Sequence, residues 1–552
     1  MAGEKQNQLP TFIIPIHNKI GKLKSTKSKS QINMKKRSKS FLAVLFICLT
    51  STTSFAQLSS TKIDSLMQDA LQKFKVAGAA IAIVKDGKII HQKGYGVSSI
   101  ITTQVVNENT NFQIASNTKA FTTAALAILE DEGKLKWTDK VINHIPEFKM
   151  YNDYVTANFS ILDLLTHRSG LGLGVGDLMF FPDGSNFTVN DVVTSFQHFK
   201  AVSPFRTQFD YDNLLYIVAG EIIARESGMS YEQFVQQRII TPLKMNRTYV
   251  GSLLKDKSNL AVSHSSESGT IKTIESYTIT TASAAGGIYS NVSDLSKWMI
   301  TQMNKGKYGV DMQFTLFSEK NHDEMWRIHT VEPANPDPRY NSHFAGYGLG
   351  FELGDSKGNF KVSHTGGLPG MLSIITMYPD MNLGIVILTN TENGGAGLFS
   401  AVTQTISDSY LGLDDFGWTD KMVGWMNEGR NQSDDVTKEV WKKVEAVKNT
   451  KIKNQDFIGV YEDNWFGKVE VFLKDNKLWI KCLRSPKLNG PLAFYDANTF
   501  AIKWEYQAMN CDAMATFTAG ETGKAQSIKM KGISPNIDFS FDFQDLDLKR
   551  VD

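Results

Sequence analysis

Between Asn111 and Glu130 the chain places a serine, Ser116, three residues ahead of a lysine, Lys119, and follows both with an apolar helical run, Ala-Phe-Thr-Thr-Ala-Ala-Leu-Ala-Ile-Leu. Residues i and i+3 share a helix face, so the hydroxyl and the amine meet at a helix N-terminus, where backbone N–H groups lack partners. A hydroxyl becomes a useful nucleophile only when a base takes its proton. An amine can be that base only if burial or a neighbouring cation lowers its pKa. Lys119 stands beside Ala120, Phe121 and Ala124, which favours desolvation. The free N–H groups at the helix start are also suited to polarise a carbonyl oxygen. The same spacing recurs at Ser59/Lys62 and Ser252/Lys255, so the choice among the three has to come from the rest of the chain.

The formal charge of +2 over 552 residues conceals two unlike parts. Residues 1–40 hold ten Lys and Arg against one acid, Glu4, and residues 41–56 are uncharged. Met34-Lys-Lys-Arg-Ser-Lys39 reads as a positive n-region, Phe41–Leu49 as an apolar h-region, and Ser54-Phe-Ala56 as a small-x-small cleavage site. A bacterial-type secretory signal cleaved after Ala56 is expected, with Met34 as the start, and hence a periplasmic or secreted protein. The apolar run is short for a membrane span and Cys48 follows Ile47, so no stable membrane anchor is expected. The body, 57–552, is left with 49 basic and 56 acidic side chains, net −7, and gives no sign of a nucleic-acid partner. Cys482 and Cys511 suit either one disulfide or two separate buried thiols. No Cys/His cluster has metal-ligand spacing, and neither metal nor cofactor is expected.

Along the body, Lys62–Phe74 has helical periodicity, and Gly78–Val84, Asp86-Gly87 and Ile89-Ile90 read as strand, turn and strand. Ser160 and Asp163 open a short helix that runs to Thr166, and His167 reads as a hydrogen-bonded histidine shaping the loop behind it. The glycine-rich 170–176, with Phe180, Phe181 and Pro182, suggests the rim of a substrate cleft. Tyr211 and Asn213 precede an apolar helix, where two side chains two apart point the same way only from a loop or extended segment. A small-residue turn at 283–287 leads to a helix from about Leu295. Strands are expected at 347–351, 360–370, 371–378 and 383–389, with His364-Thr365-Gly366-Gly367 at a strand end or edge, where glycine lets a ligand approach the backbone. A charged helical linker, 413–453, separates residues 57–412 from a β domain, 454–552. In that domain Val469–Ile480, Thr499–Trp504, Ala515–Thr518, Ser527–Met530 and Asp538–Phe543 alternate like half-buried strands, which fits a small barrel or sandwich.

Taken in order, Ser116-x-x-Lys119, Tyr211-x-Asn213 and His364-Thr365-Gly366 resemble the active-site triplet of the serine β-lactamase and penicillin-binding protein superfamily. The class C β-lactamase, D-aminopeptidase and esterase branch is the most similar. Leu164-Leu-Thr-His-Arg-Ser-Gly-Leu171, Ala285-Gly-Gly-Ile-Tyr-Ser290 and His364-Thr-Gly-Gly-Leu-Pro-Gly370 look like that branch too. The likeness spans about Lys62 to Leu411, and the tail looks like the β domain often appended to such hydrolases. It implies an α+β fold, an antiparallel sheet flanked by helices plus an all-helical lobe, with the site between them. It also implies an acyl-enzyme on Ser116, proton handling by Lys119 and Tyr211 as a coupled pair, and contacts to substrate from Asn213, His364, Thr365, Gly366 and Gly367. The N–H groups of Ser116 and Gly367 would form the oxyanion hole. One position departs from the pattern. Where β-lactamases carry lysine in the third motif this chain has His364, whose imidazole titrates near neutrality and weakens the fixed charge that would hold a substrate carboxylate. The expectation is an exported serine hydrolase acting on small amides, peptides or esters, including D-amino-acid peptides and cell-wall fragments. The alternatives are a class C-like β-lactamase and a penicillin-binding sensor that acylates without turnover.

Overall fold

In the computed structural model, which describes residues 57–266 and 269–552, the apolar run Gly78–Lys85 becomes β1, an inner strand of an eight-stranded sheet. The expected leader and secretory signal lie outside the described residues. The other strands are β2 (Lys88–Gly96), β3 (Thr330–Glu332), β4 (Ala345–Tyr347), β5 (Glu352–Ser356), β6 (Asn359–Leu368), β7 (Met371–Tyr378) and β8 (Leu383–Thr389). Their order is β3-β4-β5-β6-β7-β8-β1-β2, antiparallel throughout. A strand covered on both faces reads as a continuous apolar run, and β1 shows why. Ala79, Ile81 and Ile83, with Ile385 and Ile387 of β8, pack under α1 (Ser60–Lys73) and residues Leu398, Val402 and Ile406. Ala80, Ala82 and Val84 face the opposite core, which holds Phe121 and Trp298 stacked at 4.0 Å. Each such isoleucine contributes about 1.5–3 kcal/mol by leaving water.

On that second face lies α2 (Lys119–Asp131), buried at every position from Lys119 to Leu129. It packs against α3 (Leu214–Ser227) in the helical lobe. Gly220 of α3 is required there, because a Cβ would come within 2.6 Å of Ala284 Cβ. The helix expected from Leu295 starts earlier, as α4 (Val292–Met303), because the Asn291 side chain accepts from Asp294 N and caps it. The strand expected over 347–351 ends at Tyr347; Gly350 takes φ 82° and the chain turns.

The carboxyl-terminal side of the sheet continues through α5 (Gly394–Tyr410) into α6 (Trp418–Val447), which lies against α5 and against the strand Asn489–Asp496. That strand belongs to a closed eight-stranded barrel, β9 to β16: Gly459–Asp463, Gly467–Lys474, Lys477–Cys482, Asn489–Asp496, Thr499–Ile502, Ala513–Ala519, Ala525–Gly532 and Leu548–Arg550. Closure leaves no open edge. The run Val469–Ile480 is a hairpin, broken at Asp475 and Asn476 with φ 51° and 58°, the handedness that tight hairpin turns need. Asp538–Phe543 is not a strand: it is a loop of the barrel that reaches the hydrolase lobe, and its alternating residues are buried by contacts described below. Cys482 and Cys511 are buried and form no disulfide. No helix among the described residues is long and apolar enough to cross a membrane.

Candidate active site

Ser116 lies in a 3-10 turn, Ala115–Thr118, that feeds directly into α2. The turn is strained and well held. Ala115 takes φ 48°, which costs a non-glycine residue roughly 1–3 kcal/mol. Ile114 N donates to Ile288 O (3.0 Å) and Ile288 N to Thr118 Oγ1 (3.1 Å). Asn117 Nδ2 donates to Ser373 Oγ (2.8 Å), which donates to Ile114 O (2.7 Å). Strand β6 presses against the same turn at Gly366, opposite Ser373 of β7. A Cβ at Gly366 would stand 2.2 Å from Ile114 O and 3.1 Å from Ser116 N, so only glycine allows this approach. Gly367 and Thr365, its neighbours along β6, are exposed.

Lys119 is wholly buried. Its amine reaches Asn213 Oδ1 at 2.7 Å, Ser116 Oγ at 3.1 Å and Ala285 O at 3.1 Å. It also sits over the rings of Tyr211 (4.7 Å) and Tyr216 (5.2 Å). Burial pulls its pKa down to about 7, against the opposing charges of Asp177 and Asp212. A neutral amine has two N–H bonds and one lone pair. Asn213 Oδ1 and Ala285 O only accept, so they take the two N–H bonds and leave the lone pair to Ser116. A burial-tuned amine in this geometry can remove the serine proton.

Tyr211 and Asn213 arrive from the loop before α3. His167 holds that loop: it is buried with φ 51°, its Nδ1 accepts from Asp212 N at 3.1 Å, and its ring lies 4.2 Å from the Tyr211 ring. Burial first, then the charge of Lys119, keeps its pKa well below the usual imidazole range. Burial drives the Tyr211 phenol well above its ordinary value, opposed by the neighbouring Ser116 hydroxyl, so it is a proton donor at neutral pH. Asn213 leaves the helix cap to Asp212, whose Oδ1 accepts from Leu215 N. The Asn213 Nδ2 donates instead to Asp177 Oδ2 at 2.8 Å.

His364 completes the group. Its Nδ1 donates to Thr365 O at 2.5 Å, since a carbonyl only accepts, and its Nε2 therefore accepts from Tyr347 Oη at 2.9 Å. Burial, then Lys119, pulls its pKa to about 3. Both ring nitrogens are committed, and the ring, 6.3 Å from that of Tyr211, is a neutral wall. The fold thus brings Ser116, Lys119, Tyr211, Asn213, His364 and Gly366 together.

Several members carry no sequence signal. Asp177 sits in a 3-10 turn behind the glycine-rich rim, wholly buried, with its carboxyl pushed up to about 7 by burial. The barrel loop enters here as well. Phe539 stands edge-on to Tyr211 at 5.8 Å, Ser540 Oγ donates to Asp177 Oδ2 at 2.8 Å, and Phe541 meets Phe181 at 5.1 Å. The Asp542 carboxylate accepts from Gly176 N (2.7 Å) and Leu178 N (2.9 Å). These side chains alternate because both faces of the loop are buried against the hydrolase lobe, which is why the segment imitates a strand.

A family profile described as Beta-lactamase matches residues 63–404, and a domain of unknown function, DUF3471, matches 445–550. An unguisins hydrolase of Aspergillus violaceofuscus is 29% identical over 379 residues, covering 64% of this chain and 65% of that protein. Protein flp of Staphylococcus aureus is 28% identical over 337 residues, 61% and 64% of the two chains. The chain spans just under two thirds of the length of these curated relatives. Among solved structures, an octameric penicillin-binding protein homologue from Pyrococcus abyssi superposes with a TM-score of 0.56 at 22% identity, over 87% of this chain and 99% of that one.

Proposed function

This chain belongs to the beta-lactamase family; we propose that it is an exported serine hydrolase that cleaves small amide, peptide or ester substrates through an acyl-serine on Ser116. The observation that carries this is the buried Lys119 amine, with two acceptors and the Ser116 hydroxyl at its third position. Neutral Lys119 takes the Ser116 proton as Oγ bonds to the carbonyl carbon, and the oxyanion forms against the N–H groups of Ser116 and Gly367. The protonated Tyr211 passes a proton to the departing amine or alcohol and takes one back from the Lys119 ammonium, leaving the acyl-serine and a neutral amine. Water, deprotonated by the same base, then releases the acid. Each oxyanion donor contributes about 3–4 kcal/mol.

Substrate preference follows from His364. A neutral imidazole with both nitrogens spent offers no cation to a substrate carboxylate, so D-amino-acid peptides, cell-wall fragments and simple esters are favoured over β-lactams. Export rests on the n-region, h-region and cleavage pattern of residues 34–56. The test is one panel of nitrocefin, p-nitrophenyl esters and D-Ala and L-Ala p-nitroanilides, followed by intact-mass spectrometry. Turnover of esters or anilides with a transient adduct on Ser116 is expected. Preferred nitrocefin turnover would instead mark a class C-like β-lactamase, and a lasting adduct without turnover a penicillin-binding sensor. Full turnover by Ser116→Ala would remove the acyl-serine altogether.

A further inference from the structure

The lone pair of Lys119 faces Ser116 only while both acceptors of its N–H bonds stay put. Ala285 O is fixed by its own backbone, in the helical turn Ser283–Gly286. Asn213 Oδ1 is not fixed in that way. Turned over about its last torsion, the Asn213 amide would present Nδ2 to Lys119, donor against donor, and the lone pair would swing from Ser116 to meet it. Something outside the lysine pocket has to choose the orientation. Asp177 stands on the far side of the amide, wholly buried, and its Oδ2 accepts there from Asn213 and Ser540 whether or not a proton sits on the unpartnered Oδ1.

We propose that Asp177 is a positioning residue for this acyl transfer: by accepting from Asn213 Nδ2 at 2.8 Å it holds Oδ1 toward Lys119 and aims the amine at Ser116. The barrel takes part, because Ser540 Oγ donates to the same Asp177 oxygen at 2.8 Å. The hydrolase lobe alone does not complete the arrangement; the chain reaches 363 residues further on for the second hydrogen bond. This rests on the reading of Ser116 as nucleophile and Lys119 as its base. The charged and titratable groups around the pair are Asp212, Asp538, Asp542, Tyr211 and Tyr277 near Asp177, and Asp212, His167, His364, Tyr211 and Tyr216 near Lys119. Asp177 is the carboxyl among them that touches Asn213.

Two substitutions separate orientation from charge. Asp177→Asn keeps an oxygen for Asn213 and Ser540 and places its new nitrogen where Asp177 Oδ1 has no partner. Asp177→Ala keeps neither. With a p-nitrophenyl ester, the acylation rate of Asp177→Ala falls about 100-fold with little change in KM, while Asp177→Asn stays within about threefold. The carboxylate favours the ammonium form of Lys119, so its loss in Asp177→Asn moves the acid limb of the acylation profile to lower pH. Ser540→Ala, made in the barrel, moves that limb in the same direction by less, since an Asp177 carboxyl without this donor is more readily protonated. The proposal is overturned if Asp177→Ala acylates at the parent rate, if Asp177→Asn loses as much as Asp177→Ala, or if the limb is unmoved in both Asp177→Asn and Ser540→Ala. The last criterion stands even where Asp177→Ala does not fold. Absence of any Ser116 adduct in the parent protein would sink the acyl-serine reading itself. A normal parent adduct with indifferent Asp177 variants would sink only the positioning role.

Discussion

The two sides of the cleft treat a buried base differently. Lys119 and His364 are both inside the protein, and burial lowers both, yet the amine comes to about 7 and the imidazole to about 3. The gap is the one the two groups start with, 10.5 for the amine and 6.5 for the imidazole, but the balance behind each fall differs. Asp177 and Asp212 pull the amine back up, whereas the imidazole has only Thr365 O to favour its charged form and the lysine itself to oppose it. Hydrogen bonding separates them further: the amine keeps one direction open to Ser116, while Thr365 O and Tyr347 Oη take both imidazole nitrogens. Burial alone does not make a catalytic base. It has to be offset to near the working pH and leave a lone pair aimed at the reacting proton.

The hardest test of that contrast is Lys119→Arg, which keeps the charge but cannot become neutral. Acylation of Ser116, followed by the p-nitrophenol burst, is expected to fall about a thousandfold. A burst of normal size would transfer the base role away from the lysine side. Next comes the pH profile of the unaltered protein. Lys119 must be neutral to act, so kcat/KM falls about tenfold per pH unit below the value near 7, roughly 100-fold by pH 5. His364 is already neutral over that span and adds no inflection of its own. An inflection near pH 6 that vanished on replacing His364 would reverse the assignment of the two sides.

The lysine side was the more legible of the two. Ser116, Lys119 and the apolar turns behind them lie within one helix-length of sequence, and the apolar run itself places α2. Tyr211 and Asn213 were readable as a pair because side chains two apart converge only from a loop. Asp177 was not, since the rim around it has no period and its value comes from Asn213, thirty-six positions away. The barrel loop misled for a related reason. Phe539, Phe541 and Phe543 alternate with Ser540 and Asp542 as in a strand, but the polar members are satisfied by Asp177 and by the backbone of Gly176 and Leu178, so the alternation records docking onto another domain. On the histidine side, the third motif located His364, yet its partner Tyr347 read as part of a continuing strand rather than as the residue before a turn.

A smaller effect sharpens the histidine side. His364→Lys returns a cation to the third motif, and nitrocefin turnover relative to ester turnover is expected to rise roughly tenfold. The same ammonium, placed beside Lys119, would move the acid limb of ester hydrolysis to lower pH, because like charge disfavours the protonated amine. An unchanged substrate ratio would mean that the neutral ring is not what sets selectivity.

The smallest expected effect comes from Tyr347→Phe, which takes the donor from His364 Nε2 while keeping the ring that stands 4.6 Å from His167. An acceptor left buried without a partner costs about 1–3 kcal/mol, so the thermal midpoint should drop. Acylation should stay within about twofold, because the wall remains neutral and in place whether or not its second nitrogen is satisfied. A loss of rate approaching that of Lys119→Arg, with the fold intact, would show that the imidazole transmits something to the nucleophile. The lysine and histidine sides would then be one proton network, and the division drawn between them would fail.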